Sequence, residues 1–153
     1  MELEDRIIYL TRDSFCMADD VMAPNMYKFT WRDSDWCPET RIFGILEEYL
    51  GSNLPGYFWR GYSGRKAIVD VNLHRGDLSF TREIKLEENW RELLRENRTI
   101  HFLHKEYSDR DKLPIILPDS EGYSFEKAEQ TAERLGSRYV RDLSYGAGKK
   151  THE

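Results

Sequence analysis

Residues 57–86 read YFWRGYSGRKAIVDVNLHRGDLSFTREIKL. Three runs rich in β-favouring residues, Tyr57 to Tyr62, Lys66 to Leu73 and Asp77 to Leu86, are joined by Ser63-Gly64 and by Arg75-Gly76. Short runs broken by turn residues predict an antiparallel meander. In the middle run Ala67, Val69 and Val71 alternate with Ile68 and Asp70, the period of two that a half-buried strand shows. The first three are therefore expected on one face and the other two on the opposite face.

Elements predicted on either side of the meander complete the fold class. Upstream, Asp33-Ser34-Asp35 can cap a helix whose first turn holds Pro38. Its Ile42, Ile45, Leu46, Tyr49 and Leu50 recur at the i, i+3, i+4, i+7, i+8 spacing of one buried stripe, and Gly51 can end it. Further upstream, Arg6 to Thr11 and Met26 to Trp31 read as strands around a loop that holds Asp13, Asp19 and Asp20. Downstream, Glu87 to Asn97 predicts a helix with Trp90, Leu93 and Leu94 inward, and Thr99 to Leu103 predicts a strand. The loop from Tyr107 to Gly122 contains Ile115-Ile116-Leu117, a candidate edge strand. Ser124 can cap a third helix that buries Phe125, Ala128, Ala132 and Leu135 and ends at Gly136, with a strand from Arg138 to Leu143 after it. The order β-β-α-β-β-β-α-β-α-β predicts an α+β domain, a mainly antiparallel sheet packed by about three helices. That single domain is expected over residues 1–145, with 146–153 as a flexible tail.

Composition narrows the function classes. The 153 residues carry 23 Lys+Arg and 28 Asp+Glu, a net charge of -5, and 13% aromatic residues. Interspersed charge of this sign lacks the single basic surface that phosphate-tracking proteins present, which disfavours general nucleic-acid binding. No apolar run reaches the roughly 18 residues of a membrane helix, and Met1 to Arg6 is acidic where a signal peptide is basic, so a cytoplasmic protein is expected. Cys16 and Cys37 are too few for a disulfide framework and lack zinc-ligand spacing. Neither a G-x-G-x-x-G nor a G-x-x-x-x-G-K-[ST] loop occurs. His101 and His104, three apart on a predicted strand, should point to opposite faces and share no metal.

Asp70 followed on the next strand by Glu83-Ile84-Lys85 is the main catalytic candidate. Two carboxylates on neighbouring strands can hold Mg²⁺ while the lysine reaches a phosphate or its water. The arrangement resembles the PD-(D/E)xK nuclease superfamily, whose αβββαβ core matches the helix ending in Glu47-Glu48, the meander, the helix at Trp90 and the strand at Ile100. The resemblance implies Asp70 and Glu83 as metal ligands and Lys85 as a catalytic group. The family's Pro-Asp pair is replaced by Val69-Asp70. On a strand the same Glu83 and Lys85 can equally form a solvated ion pair.

The preferred reading is a non-enzymatic module that needs no cofactor and binds a protein partner. Its expected contacts are the acidic Asp13, Asp19 and Asp20 together with Trp59 and Tyr62, since the crowded aromatic strand at 57–62 should expose at least one ring. In composition the chain resembles bacterial immunity and toxin-neutralising proteins, which implies carboxylates that mimic phosphates. The segment Thr11 to Pro24 is similar to the N-terminal part of small bacterial proteins and implies a bacterial origin.

Overall fold

The computed structural model describes residues 6–12, 26–32, 38–50, 57–75, 80–118, 122–136 and 140–143. Its strands are β1 (Arg6–Arg12), β2 (Met26–Trp31), β3 (Tyr57–Ser63), β4 (Lys66–Arg75), β5 (Phe80–Leu86), β6 (Thr99–Glu106) and β7 (Val140–Asp142). Helices α1 (Pro38–Leu50), α2 (Trp90–Asn97) and α3 (Phe125–Leu135) fall where the 3.6-residue pattern puts them. The result is one α+β domain with a seven-stranded mixed sheet in the order β5-β4-β3-β6-β1-β2-β7. The meander is antiparallel throughout, β6 runs antiparallel to β3, and β1 and β2 form an antiparallel hairpin. Two pairings are parallel, β6 on β1 and β7 on β2, and both join strands distant in sequence, as parallel pairs require.

The main core lies between the sheet and α1 with α2. Ile42, Leu46, Tyr49 and Leu50 line the buried stripe of α1, and Trp90 and Leu94 that of α2. They meet Ile8, Leu10, Phe29, Trp59, Val69 and Phe102 from the strands, each buried side chain contributing about 1.5–3 kcal/mol. Trp31 and Trp90 meet edge to face, centroids 5.7 Å apart, an arrangement that favours the ring quadrupoles. The other face is covered too. There α3 sets Phe125, Ala128 and Ala132 on Tyr9 and Met26. Beside it Leu117 closes over Tyr62 and Ala67.

The alternation expected along β4 is corrected by a bulge. Gly61 opposes Val69 and Tyr62 opposes Ala67, which leaves Ile68 as an extra residue with no partner on β3. The slip turns Ile68 into the main core with Val69 and Val71, and Ala67 to the opposite face. On its other side Ile68 stays tied to the sheet, its carbonyl accepting the Glu87 N–H at 2.8 Å next to the Val69–Leu86 pair. At Gly61 neighbouring side chains fill the space a side chain would need: a Cβ would lie 2.6 Å from Phe102 Cε1 and 2.8 Å from both Ile100 Cγ2 and Val69 Cγ1.

After β6 the chain makes a 3-10 turn, Tyr107–Lys112, and crosses the second face. The expected edge strand at 115–117 reduces to a single bridge, Lys66 to Ile116. Ser124 caps α3 as expected, its hydroxyl accepting the Lys127 N–H at 3.2 Å.

Candidate functional site

The strand register brings the three nuclease candidates together. Asp70 stands opposite Lys85, and Asn72 opposite Glu83, so Asp70, Glu83 and Lys85 share one face of the sheet. Asp70, however, is already engaged. Arg60, opposite it on β3, donates Nε to Oδ1 at 2.8 Å and Nη2 to Oδ2 at 3.1 Å, a two-pronged grip on both oxygens. The third arm, Nη1, donates to the carbonyl of Leu113. Burial works against the Arg60 charge, but the hydrogen bonds and charge of Asp70 outweigh it and hold the guanidinium pKa above its usual value. A cation at Asp70 would have to displace a buried guanidinium from a carboxylate that already has its counter-charge. Among the described residues no three His, Cys, Asp or Glu side chains are grouped to hold a metal ion.

The expected exposed rings are a correction. Trp59 is 1% exposed and Tyr62 0%. They point to opposite faces, Trp59 into the main core and Tyr62 into the cluster with Ala67 and Leu117. Both layers are covered, so a crowded strand can bury rings on either side. Tyr62 donates its hydroxyl to the Pro114 carbonyl at 2.6 Å, which satisfies the polar end of a buried ring. Asp13, Asp19, Asp20, Cys16 and Cys37 lie outside the described residues. His101 and His104 do part to opposite faces: His104 lies against Trp59 with centroids 4.3 Å apart, and His101 stacks on Tyr123 at 4.1 Å and 16°.

His101 opens onto a cleft of about 340 Å³ between α3 and the strands β1 and β6. Thr11 Oγ1 is hydrogen-bonded to His101 Nδ1 at 2.7 Å. Lys127 and Arg134 contribute two cationic side chains to the lining, Thr99, Ser124 and Thr131 contribute hydroxyls, and no Asp or Glu among the described residues lines the cleft. Arg12 borders the cleft at its backbone only, since its guanidinium turns to the α1 face, Nη1 donating to the Tyr49 carbonyl at 2.8 Å and the group lying 5.0 Å from the Tyr49 ring centroid. Among the described residues no carboxylate pairs with Lys127 or Arg134.

The sequence of α3 sorts these charges. At 100° per residue, Lys127, Thr131 and Arg134 fall on one flank, Phe125, Ala128 and Ala132 on the buried stripe, and Glu126, Glu129 and Glu133 on the far flank. The far flank acts on a different neighbour: burial raises the Tyr9 pKa above 10.0, and the Glu129 and Glu133 charges raise it further. Acid and base are thereby kept on opposite sides of one helix. The i, i+4, i+7 spacing of Lys127, Thr131 and Arg134 is readable in the sequence, but nothing in it says that this flank faces His101.

Thr11 beside His101 has the outline of a nucleophile and its base, yet among the described residues the lining supplies no carboxylate to orient the imidazole. Two cations and a set of hydroxyls, with no acid beside them among the described residues, suit the holding of an anion. No known protein family, curated protein or solved structure matches this chain. Among the described residues no helix is long and apolar enough to cross a membrane.

Proposed function

We propose that this protein works by binding rather than by catalysis, and that the cleft between α3, β1 and β6 takes a phosphate-like anion. One observation carries the reading: in a chain of net charge -5, every charged side chain that lines this cleft among the described residues is basic, Lys127 and Arg134 on one flank of α3. Its volume of about 340 Å³ sits at the lower end of small-ligand sites, which run from roughly 300 to 1,000 Å³. The Ser124 hydroxyl, which accepts the Lys127 N–H and keeps its own proton to donate, stands with Lys127 and Arg134 as the donors that an oxyanion uses. The anion can be free or carried on a protein partner, and the lack of a catalytic motif supports the binding role in both cases. The polarity is the reverse of an acidic surface built from Asp13, Asp19 and Asp20. A cytoplasmic setting goes with this reading, supported by two cysteines without disulfide or zinc spacing.

Titration calorimetry with inorganic phosphate, pyrophosphate and a phosphoserine peptide tests it. Binding of a phosphate probe to the intact chain is expected, weakened about tenfold by each of Lys127→Ala and Arg134→Ala. Tighter binding of the peptide than of the inorganic probes would assign the anion to a protein partner; the reverse order would assign it to a free ligand. Absence of binding by all three probes, or equal binding by Lys127→Ala/Arg134→Ala, refutes the proposal.

A further inference from the structure

The charges that first suggested a metal site end in a row at the edge of the sheet. Among the described residues β5 is the end strand and pairs with β4 alone. Across that end of the sheet Arg60 stands opposite Asp70, and Asp70 opposite Lys85, an alternation of plus, minus and plus. Glu83 lies on the same face two residues along β5, and both Glu83 and Lys85 are exposed. Among the described residues no carboxylate pairs with Lys85.

We propose that the outer edge of β5 pairs antiparallel with β5 of a second copy of this chain, in the register centred on Ile84. A two-fold axis perpendicular to the sheet keeps each residue on its own face, so only registers centred on a residue are allowed. Centring on Glu83 sets two Glu83 carboxylates against each other. Centring on Lys85 opposes two Lys85 side chains and also sets Glu83 against Glu87. Centring on Ile84 sets Glu83 of each copy against Lys85 of the other, twice. The row then reads Arg60, Asp70, Lys85 and the second copy's Glu83, with the sign alternating across four strands. Cross-strand pairs of opposite charge favour a sheet, and like charges directly opposed disfavour it.

The opposite face fits the same register. Ile84 and Leu86 are half-buried against the main core. At the centre of the pairing Ile84 meets its own copy and carries the apolar layer across the junction. Backbone hydrogen bonds supply the adhesion of such an edge and the side chains select its register. A seven-residue strand is long enough to need either a partner or protection, and here the charges that could repel a foreign strand are complementary to themselves.

Sedimentation equilibrium of the full chain over a range of concentrations tests this. The wild type is expected to show a concentration-dependent dimer. Glu83→Lys alone and Lys85→Glu alone each turn both symmetry-related pairs repulsive and should weaken the dimer about tenfold or more. The double reversal Glu83→Lys/Lys85→Glu recreates both attractions and should return the dimer to about wild-type strength. Circular dichroism of all three variants checks that the fold persists, and the rescue by the double variant separates pairing from misfolding. A monomer at every concentration, a dimer indifferent to the single reversals, or a double variant as weak as the singles overturns the proposal.

Discussion

Replacing Arg60 by Met isolates the buried ionic contact that organises the second face of the sheet. Arg60 is 8% exposed and makes three hydrogen bonds, two to Asp70 and one to the Leu113 carbonyl. The Met side chain can still cover Phe58, whose ring centroid lies 5.3 Å from the guanidinium carbon, so the loss is mainly polar. Breaking a fully buried pair by removing one partner costs about 3–5 kcal/mol. The Asp70 side chain is 29% exposed, and rehydration of its carboxylate lowers that to about 2–3 kcal/mol. Leu113 is 6% exposed, and a carbonyl left there without its donor adds about 1 kcal/mol. The expected total is about 3–4 kcal/mol, a large share of the roughly 5–15 kcal/mol that holds an ordinary domain together. Urea unfolding at neutral pH, followed by circular dichroism, measures it. Arg60→Met/Asp70→Leu should recover at least about half of the loss, because an apolar pair has no desolvated charge to compensate. A single-variant cost below about 1 kcal/mol, or a double variant no more stable than the single, would refute the claim that Asp70 depends on Arg60.

Two further outcomes follow from the packing and from a buried phenol. Gly61→Ala pushes a methyl group against Phe102, Ile100 and Val69 and should cost about 1–3 kcal/mol in thermal unfolding; an unchanged melting temperature would show that these three side chains give way without cost. Burial raises the Tyr62 pKa from 10.0 to about 12, so above pH 10 the unfolded chain gives up this proton while the native state keeps it. Stability should therefore hold up to about pH 10 and fall between there and about pH 12. Tyr62→Phe cannot ionise, and its stability should decline less steeply over that window; equal slopes in paired urea titrations would remove Tyr62 as a cause.

Much of the fold was legible because local periodicity reports which residues face inward. The stripe from Ile42 to Leu50 defines α1, the Ser124 cap and Gly136 bound α3, and the turn at Ser63-Gly64 divides β3 from β4, while the turn expected after Arg75 lies outside the described residues. Pairing order was not legible. The alternation of Thr99 to Leu103 marks a strand but cannot say that it enters between β3 and β1. The burial of both Trp59 and Tyr62 was missed for the same reason: on one strand alone, rings on both faces imply exposure, and only the segment at 113–117 and the helices on the far side reverse that. Ile68 shows how one bulge defeats a simple alternation. The cleft was half visible, since His101 drew notice by itself while Lys127, Thr131 and Arg134 did not. Lys127 and Arg134 come to His101 only because α3 packs against β1 and β6.

The position of β6 between β3 and β1 also bears on how the chain acquires its shape. Thr11 and His101, bonded across the β1–β6 junction, are separated by 90 residues of sequence. On a ribosome adding about 5–20 residues per second, the hairpin of β1 and β2 waits roughly 5–20 s before its neighbour exists. During that wait the apolar side chains of Ile8, Leu10 and Phe29 have neither β6 nor α2 to cover them. The meander from β3 to β5 is assembled from contacts close in sequence and can form first, leaving one edge of β3 open for β6 to zip onto. Nascent chains stalled before Thr99 should thus be the form most in need of a chaperone, and release of β6 is the event that joins two half-sheets into one.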